Sequence, residues 1–151
     1  MLIAAIDDFG YRLFLLLHIL SVIVAFAPGF VWPVVTMRLR KEGQPLGASM
    51  SKIQAGDNLR IHGPALVAAG VFGFAMLGLS DKVWKFSQSW ISIALVLWFV
   101  MLGVLYGLLA PAERKAGHGD EAAEQRVAMF GGMMHILLLL MLIDMIWKPG
   151  A

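Results

Sequence analysis

The sequence predicts an all-α polytopic integral membrane protein, a four-helix bundle with its N- and C-termini both on the outer side of the membrane. Of its 151 residues, 60% are hydrophobic and only 15% are charged. A soluble domain of this size carries about 25% charged residues. The mean hydropathy is +0.79. Four separate apolar runs each approach the ~20 residues that a helix needs to cross a bilayer core. We therefore expect a single membrane domain, residues 1–151.

The apolar runs cover residues 13–37, 61–80, 90–110 and 127–147. The first run carries Pro28, Gly29 and Pro33, and because proline removes a backbone donor, a kink or an unwound turn is expected there. The fourth run contains Asp144, the one formally charged residue within these runs. The residues after Asp120 favour helix, so we expect them to extend the fourth span. Residues 47–59 are expected to form either a short amphipathic turn on the membrane surface or a plain connector.

The basic residues predict the orientation of the chain. The two loops at residues 38–60 and 111–126 hold eight of the twelve Lys and Arg residues. Positive residues beside membrane spans stay in the cytoplasm, so these loops should face it and both termini should face outward. The aromatic residues expected at the outer boundary are Tyr11, Trp84, Trp90 and Trp147. This pattern predicts a multi-pass protein of a bacterial cytoplasmic membrane, in contact with the lipid bilayer and not with nucleic acid.

The chain has no cysteine, which excludes disulfides, iron–sulfur clusters, thiolate zinc sites and covalently attached haem. A redox role would need a non-covalent cofactor. Nucleotide-binding loops, hydrolase motifs and carboxylate clusters are absent from the sequence. Its single intramembrane acid and lack of repeats also argue against a proton-coupled transporter.

Ionisable groups within a bilayer are costly and therefore mark candidate sites. His18 and Asp144 both lie about 9 to 10 Å to the outer side of their span centres, so they are expected to be able to pair. Three interpretations stay open: a bond that holds the first helix against the fourth, an aspartate that orients a histidine ligand, or no contact. His62 should lie near the cytoplasmic interface, roughly 22 Å in height from His18.

His135 lies near the middle of the fourth span, one turn after Gly131 and Gly132. Glycines at these positions remove side chains from the patch over which the ring leans, leaving space for a partner helix or a flat macrocycle. His135 is therefore expected either to pack against a neighbouring helix or to ligate a haem or metal. The neighbouring Met133 and Met134 offer soft ligands.

Small residues four apart on the second and third spans permit close helix contacts. These pairs are Ala69 with Gly73 and Gly103 with Gly107. They predict packing within the bundle, with a second copy of the chain, or with partner subunits. Tyr106 places a hydroxyl between the second pair and needs a hydrogen-bond partner.

Residues 11–38 combine an early histidine, His18, a Gly/Pro-containing break and a basic exit at Arg38. This pattern resembles the bacterial integral membrane family of unknown function DUF2269, and more distantly the HemJ-like and CopD-like membrane proteins. HemJ-like relatives imply a four-helix bundle that binds haem b and oxidises a porphyrinogen, and CopD-like relatives imply copper handling. His18 matches the motif position. Val34 and Val35 stand where the HemJ-like pattern has an Arg–Leu pair.

These observations lead to a first hypothesis of a haem b-binding, redox-associated membrane protein. His18 or His135 would be the axial or metal ligand, Asp144 an orienting partner, and Gly131 and Gly132 would make room. The alternative is a non-catalytic small subunit or assembly factor of a larger membrane complex. Copper or small-solute handling is the third hypothesis.

Overall fold

The computed structural model describes residues 8–43, 47–81 and 83–150, and these residues form helices without any strand. The six α-helices are α1 (Phe9–Lys41), α2 (Gly47–Asp57), α3 (Gly63–Leu79), α4 (Ser89–Val104), α5 (Ala110–Ala116) and α6 (Glu121–Trp147). Two π-helical segments complete the fold. The first, π1 (Asn58–His62), joins α2 to α3, and the second, π2 (Leu105–Leu109), joins α4 to α5.

In the described part of the chain, four helical stretches are long and apolar enough to cross a membrane, as many as the predicted spans. They are Phe9–Leu39, Met50–Leu79, Ser89–Ala116 and Glu121–Trp147. The second and third stretches extend well beyond the apolar runs at the ends that join α2 and α5. These extensions contain polar residues, yet they remain helical because α2 packs against α5, and this contact stabilises the helix beyond the apolar run.

The distribution of side chains fits a lipid solvent. Large apolar residues such as Ile23, Val96 and Ile136 are more than half exposed. Lipid chains are as apolar as these side chains, so their exposure has no cost in a bilayer. The buried core is small and centres on α4, π2 and α6, with Phe26 of α1 and Leu66 of α3 packed against it. The fold and this surface together indicate a multi-pass membrane protein.

The helices form two pairs. Helix α1 has its main contact with α3, and α4 packs against α6. Short helices α2 and α5 join the pairs at one end, where both π segments lie. At mid-height, the indole Nε1 of Trp98 donates to the Leu66 carbonyl at 2.8 Å. A Cβ on Gly70 would collide with the same indole, so glycine is required for this close approach.

Each π segment ends two residues before a proline. Pro64 follows π1 and Pro111 follows π2. Proline has no N–H and its ring crowds the carbonyl four residues earlier. Widening the helix to π spacing relieves that crowding while the helix continues. The N–H groups of Gly63 and Ala110 accordingly bond to carbonyls five residues back.

Helix α1 continues through both of its prolines, so of the two predicted alternatives, a kink or an unwound turn, the unwound turn is absent. Pro28 leaves the Val24 carbonyl without its usual helical donor. His62 replaces that donor, because its Nδ1 lies 2.7 Å from the Val24 oxygen and a carbonyl can only accept. The Thr36 hydroxyl donates to the Pro33 carbonyl at 3.0 Å.

Helix α6 begins at Glu121, which confirms that the fourth span extends into the preceding loop. Its N-cap is Asp120, whose Oδ1 accepts from the Ala123 N–H at 3.1 Å. An acidic side chain that accepts from the first turn stabilises a helix start.

Three of the predicted boundary aromatics meet at the opposite end of the bundle. Trp84 Nε1 lies 3.3 Å from the Tyr11 hydroxyl oxygen, to which it donates. The rings of Trp84 and Trp90 meet edge to face at 5.3 Å, and the Lys148 ammonium lies 4.1 Å from the centre of the Trp84 ring. Trp147 is 71% exposed and lies outside this cluster.

Candidate functional site

A cavity of about 400 Å³ lies between α1, the π1 and π2 segments, α2, α5 and α6. It forms because α1 pairs with α3 and α6 with α4, which leaves a gap between α1 and α6 at the end where the π segments lie. Most of its wall is apolar, including Phe26, Leu105, Leu109 and Met134. Its polar groups come from both helix pairs.

Glu113 is the most deeply buried polar group of the cavity wall, with 4% of its surface exposed. Both of its carboxyl oxygens lie 2.8 Å from Nδ2 of Asn58, which donates to them. Asn58 is the first residue of π1, so this bond joins the two helix pairs. Glu113 lies beyond the third predicted span, which ends at residue 110, and is therefore absent from the predicted site residues.

A periodic signal for Glu113 is present in the sequence. Four of the residues buried on this stretch, Leu109, Ala112, Glu113 and Ala116, follow the i, i+3, i+4, i+7 spacing of one helix face. The same spacing shows that helix continues past Pro111, which stands at an exposed position on the other side.

His135 borders the cavity and is half-buried. Its Nδ1 lies 2.8 Å from the Gly131 carbonyl, one turn earlier on α6, and therefore donates to it. The ring meets Phe30 of α1 edge to face at 5.0 Å. Its Nε2 faces α1, and a Cβ built on Gly29 would lie 2.9 Å from it. Gly29 is thus the residue that lets α1 approach His135.

Gly131 and Gly132 both border the cavity, and a Cβ on either would meet no heavy atom of the described chain within 4 Å. The space that these glycines leave is therefore part of the cavity, and no other described helix of the chain fills it. Gly103 and Gly107 have equally open surroundings, but they lie outside the cavity wall on an exposed surface.

His18 and Asp144 do not pair. The Nδ1 of His18 donates to the Ala69 carbonyl of α3 at 2.7 Å, and its ring rests 3.6 Å from where a Cβ of Gly73 would be. Asp144 is 5% exposed, and its Oδ2 has no hydrogen-bond partner in the described part of the chain. The depth match was insufficient because α1 packs on α3 while α6 packs on α4. The predicted contact of Ala69 and Gly73 is made with α1.

His62 lies closer in height to His18 than the predicted separation of roughly 22 Å. It contacts Val24, six residues after His18 on the same continuous helix, which corresponds to about 9 Å. The expected 22 Å assumed that the second span begins at residue 61, whereas the helix already runs from Gly47. His18 bonds α1 to α3 and His62 bonds π1 to α1, so α1 is attached to the continuous π1–α3 helix at two heights.

The donor set does not favour a metal ion, since the residues that the structure describes contain no group of three or more His, Asp or Glu able to hold one. Helix α1 lies close to the Nε2 of His135, because even a Cβ built on Gly29 would be 2.9 Å from it, so an iron bound to this nitrogen would have to share the space beside Gly29. The described cavity wall also offers no Lys or Arg to neutralise haem propionates. Haem ligation by His18 or His135 stays a prediction.

No protein-family model, curated protein or solved structure matches this chain. The resemblance to DUF2269 therefore also stays a prediction, and the function has to be argued from the geometry.

Proposed function

We propose that this chain is a multi-pass protein of a bacterial cytoplasmic membrane that binds a small molecule in the cavity bordered by Glu113 and His135. The cavity itself carries the proposal. Its volume of about 400 Å³ falls within the ~300 to 1,000 Å³ of typical ligand sites. It has a largely apolar wall with a few polar groups, as such sites do. It also borders two π-helical segments, which occur frequently at functional sites.

The proposal places the cavity in the cytoplasmic half of the membrane, with both termini outside. Support comes from the eight Lys and Arg residues of the two loops at that end of the bundle. Because the chain lacks cysteine, single-cysteine variants can be labelled without background. A membrane-impermeant maleimide should label Ser87→Cys in intact spheroplasts and Glu42→Cys only after lysis. The reverse labelling would refute this orientation.

Ligand binding is tested by filling the cavity. In Gly131→Leu the new side chain enters open space within the cavity, so the variant should fold and lose the bound molecule. Gly103→Leu is the matched control, because its glycine is also helical and open but lies outside the cavity wall. Native mass spectrometry of protein extracted in mild detergent should show a small-molecule adduct on the wild type and on Gly103→Leu. An adduct of equal abundance on Gly131→Leu, or none on any protein, would refute the proposal.

The same preparation tests the haem b hypothesis. A Soret band in oxidised and dithionite-reduced spectra that disappears in His18→Ala would establish haem and its ligand. A colourless protein without a small-molecule adduct that instead purifies with larger membrane subunits would favour the alternative of a small subunit. The exposed Gly103 and Gly107 are the feature that favours that alternative, since they allow close approach of another helix.

A further inference from the structure

We infer that the molecule bound in this cavity is an organic cation with an apolar body, and that the Glu113 carboxylate binds its positive charge. The inference rests on the proposed function, because it names the class of ligand for the same cavity. It depends on the positions of the acidic and basic side chains at the end of the bundle where the π segments lie, and on the residue types of the cavity wall.

At this end of the bundle the buried acidic group, Glu113, lies apart from the described basic side chains, whereas Asp120 at the surface pairs with Arg126. Glu113 is buried at the cavity wall, and its partner Asn58 is neutral. The basic residues of the two loops whose side chains are described are all exposed: Arg38, Lys41, Lys52, Arg60, Arg114, Lys115 and Arg126. None of them borders the cavity. A buried carboxyl group stays neutral unless a positive charge stabilises its ionised form. No described Lys or Arg borders this cavity, so a bound cation would supply that charge.

The remaining polar groups of the wall also suit a cation. Thr36 and Ser51 add hydroxyl oxygens. The Gly29 carbonyl lacks its usual helical donor because Pro33 has no N–H. An anionic ligand would meet the Glu113 carboxyl group without a Lys or Arg in the described wall, so electrostatics favours a cation over an anion.

The apolar wall distinguishes an organic cation from a metal ion. No metal-holding group of three side chains exists in the described ranges, and about 400 Å³ is far more than a bare ion fills. Phe26, Leu105, Leu109 and Met134 offer apolar contact, and Trp32 adds an aromatic ring of the kind that attracts organic cations. The ligand should therefore carry one positive charge on a hydrophobic body.

Phenyltrimethylammonium is a suitable probe because its charge does not change with pH. Equilibrium dialysis against the detergent-purified full chain should give saturable binding that weakens about tenfold or more in Glu113→Gln. The glutamine can keep a hydrogen bond to Asn58, so the fold should survive. Glu121→Gln is the matched control, since it removes the same charge from an exposed position on α6 outside the cavity wall, and its affinity should equal that of the wild type.

The neutral isostere tert-butylbenzene tests the charge without any variant. It should fail to displace phenyltrimethylammonium from the wild type, because it has the shape without the charge. Displacement at similar concentration, or equal affinity of Glu113→Gln and wild type, would overturn the inference. If Gly131→Leu still abolishes a native adduct in that case, the cavity remains a ligand site and only the class is wrong. If Gly131→Leu changes neither the adduct nor the probe affinity, the proposed function itself fails.

Discussion

The bond between His62 and the Val24 carbonyl makes a prediction about how prolines are tolerated in this bundle. Pro28 cannot donate to Val24, and His62 on the neighbouring helix donates in its place at 2.7 Å. The histidine should therefore matter only while the proline is present. A double-mutant cycle with His62→Ala and Pro28→Ala measures this dependence.

The magnitude follows from the groups left unpaired. In the Pro28 background, His62→Ala removes an interhelical hydrogen bond and leaves the Val24 carbonyl without a donor, which should cost about 1 to 2 kcal/mol. In the Pro28→Ala background the new N–H of residue 28 can bond to Val24, so the same substitution should cost about half a kcal/mol or less. The expected coupling is about 1 kcal/mol.

The assay is reversible unfolding in mixed micelles, followed by circular dichroism for the wild type, both single variants and the double variant. His118→Ala is the control, because that exposed histidine bonds within its own chain segment to the Arg114 carbonyl and should show no coupling to Pro28. An equal cost of His62→Ala in both backgrounds would refute the reasoning, since it would mean that another group satisfies Val24.

Two further substitutions test the packing. Gly70→Ala should destabilise the bundle by about 2 kcal/mol in the same assay, because its Cβ collides with the Trp98 indole and breaks the bond from Trp98 to Leu66. Gly78→Ala on the same helix is the control, since its Cβ meets open space and the substitution should be neutral or stabilising. Asp144→Leu should not destabilise the protein, because Oδ2 is buried without a partner in the described structure and its removal breaks no bond. A clear loss of stability in this variant would reveal a partner for Asp144.

The number of spans could be predicted from sequence because it depends on one quantity, the hydropathy of about 20 successive residues. The ends of the helices could not. Charged residues such as Lys52 and Arg60 lie on exposed faces of helices that continue beyond the apolar runs. Hydropathy averaged over all faces of a helix predicts loops for these stretches, although one face is buried. For this reason Glu113 is not among the predicted site residues.

Three residues that the sequence singled out, Gly131, Gly132 and His135, border the cavity, and their binding of a cofactor stays a prediction. His18 and Asp144 do not pair, although their predicted depths match, because equal depth along the membrane normal does not show that two helices are neighbours. Which helices are neighbours depends on contacts between chain segments far apart in sequence, and hydropathy carries no information about them. The close approach of α1 to His135 at Gly29 depends on the same contacts.

Four prolines line the cavity or follow the π segments that border it, and one of them carries a last prediction. Pro28 and Pro33 line it, and the π segments that precede Pro64 and Pro111 contribute Asn58 and Leu109 to its wall. If Pro111 causes π2, Pro111→Ala should let α4 and α5 become one regular helix. Loss of the extra residue of a π turn rotates everything beyond it by about 100°, the angle of one helical residue.

That rotation would move Glu113 away from Asn58, although Pro111 itself is exposed and outside the cavity wall. Pro111→Ala should therefore weaken phenyltrimethylammonium binding about as much as Glu113→Gln, while the helical content measured by circular dichroism is retained. Pro149→Ala is the control, because this proline lies beyond α6. Unchanged binding in Pro111→Ala would mean that packing around Glu113 holds π2 open without the proline, and the bond to Asn58 would then be the cause of the π segment and not its consequence.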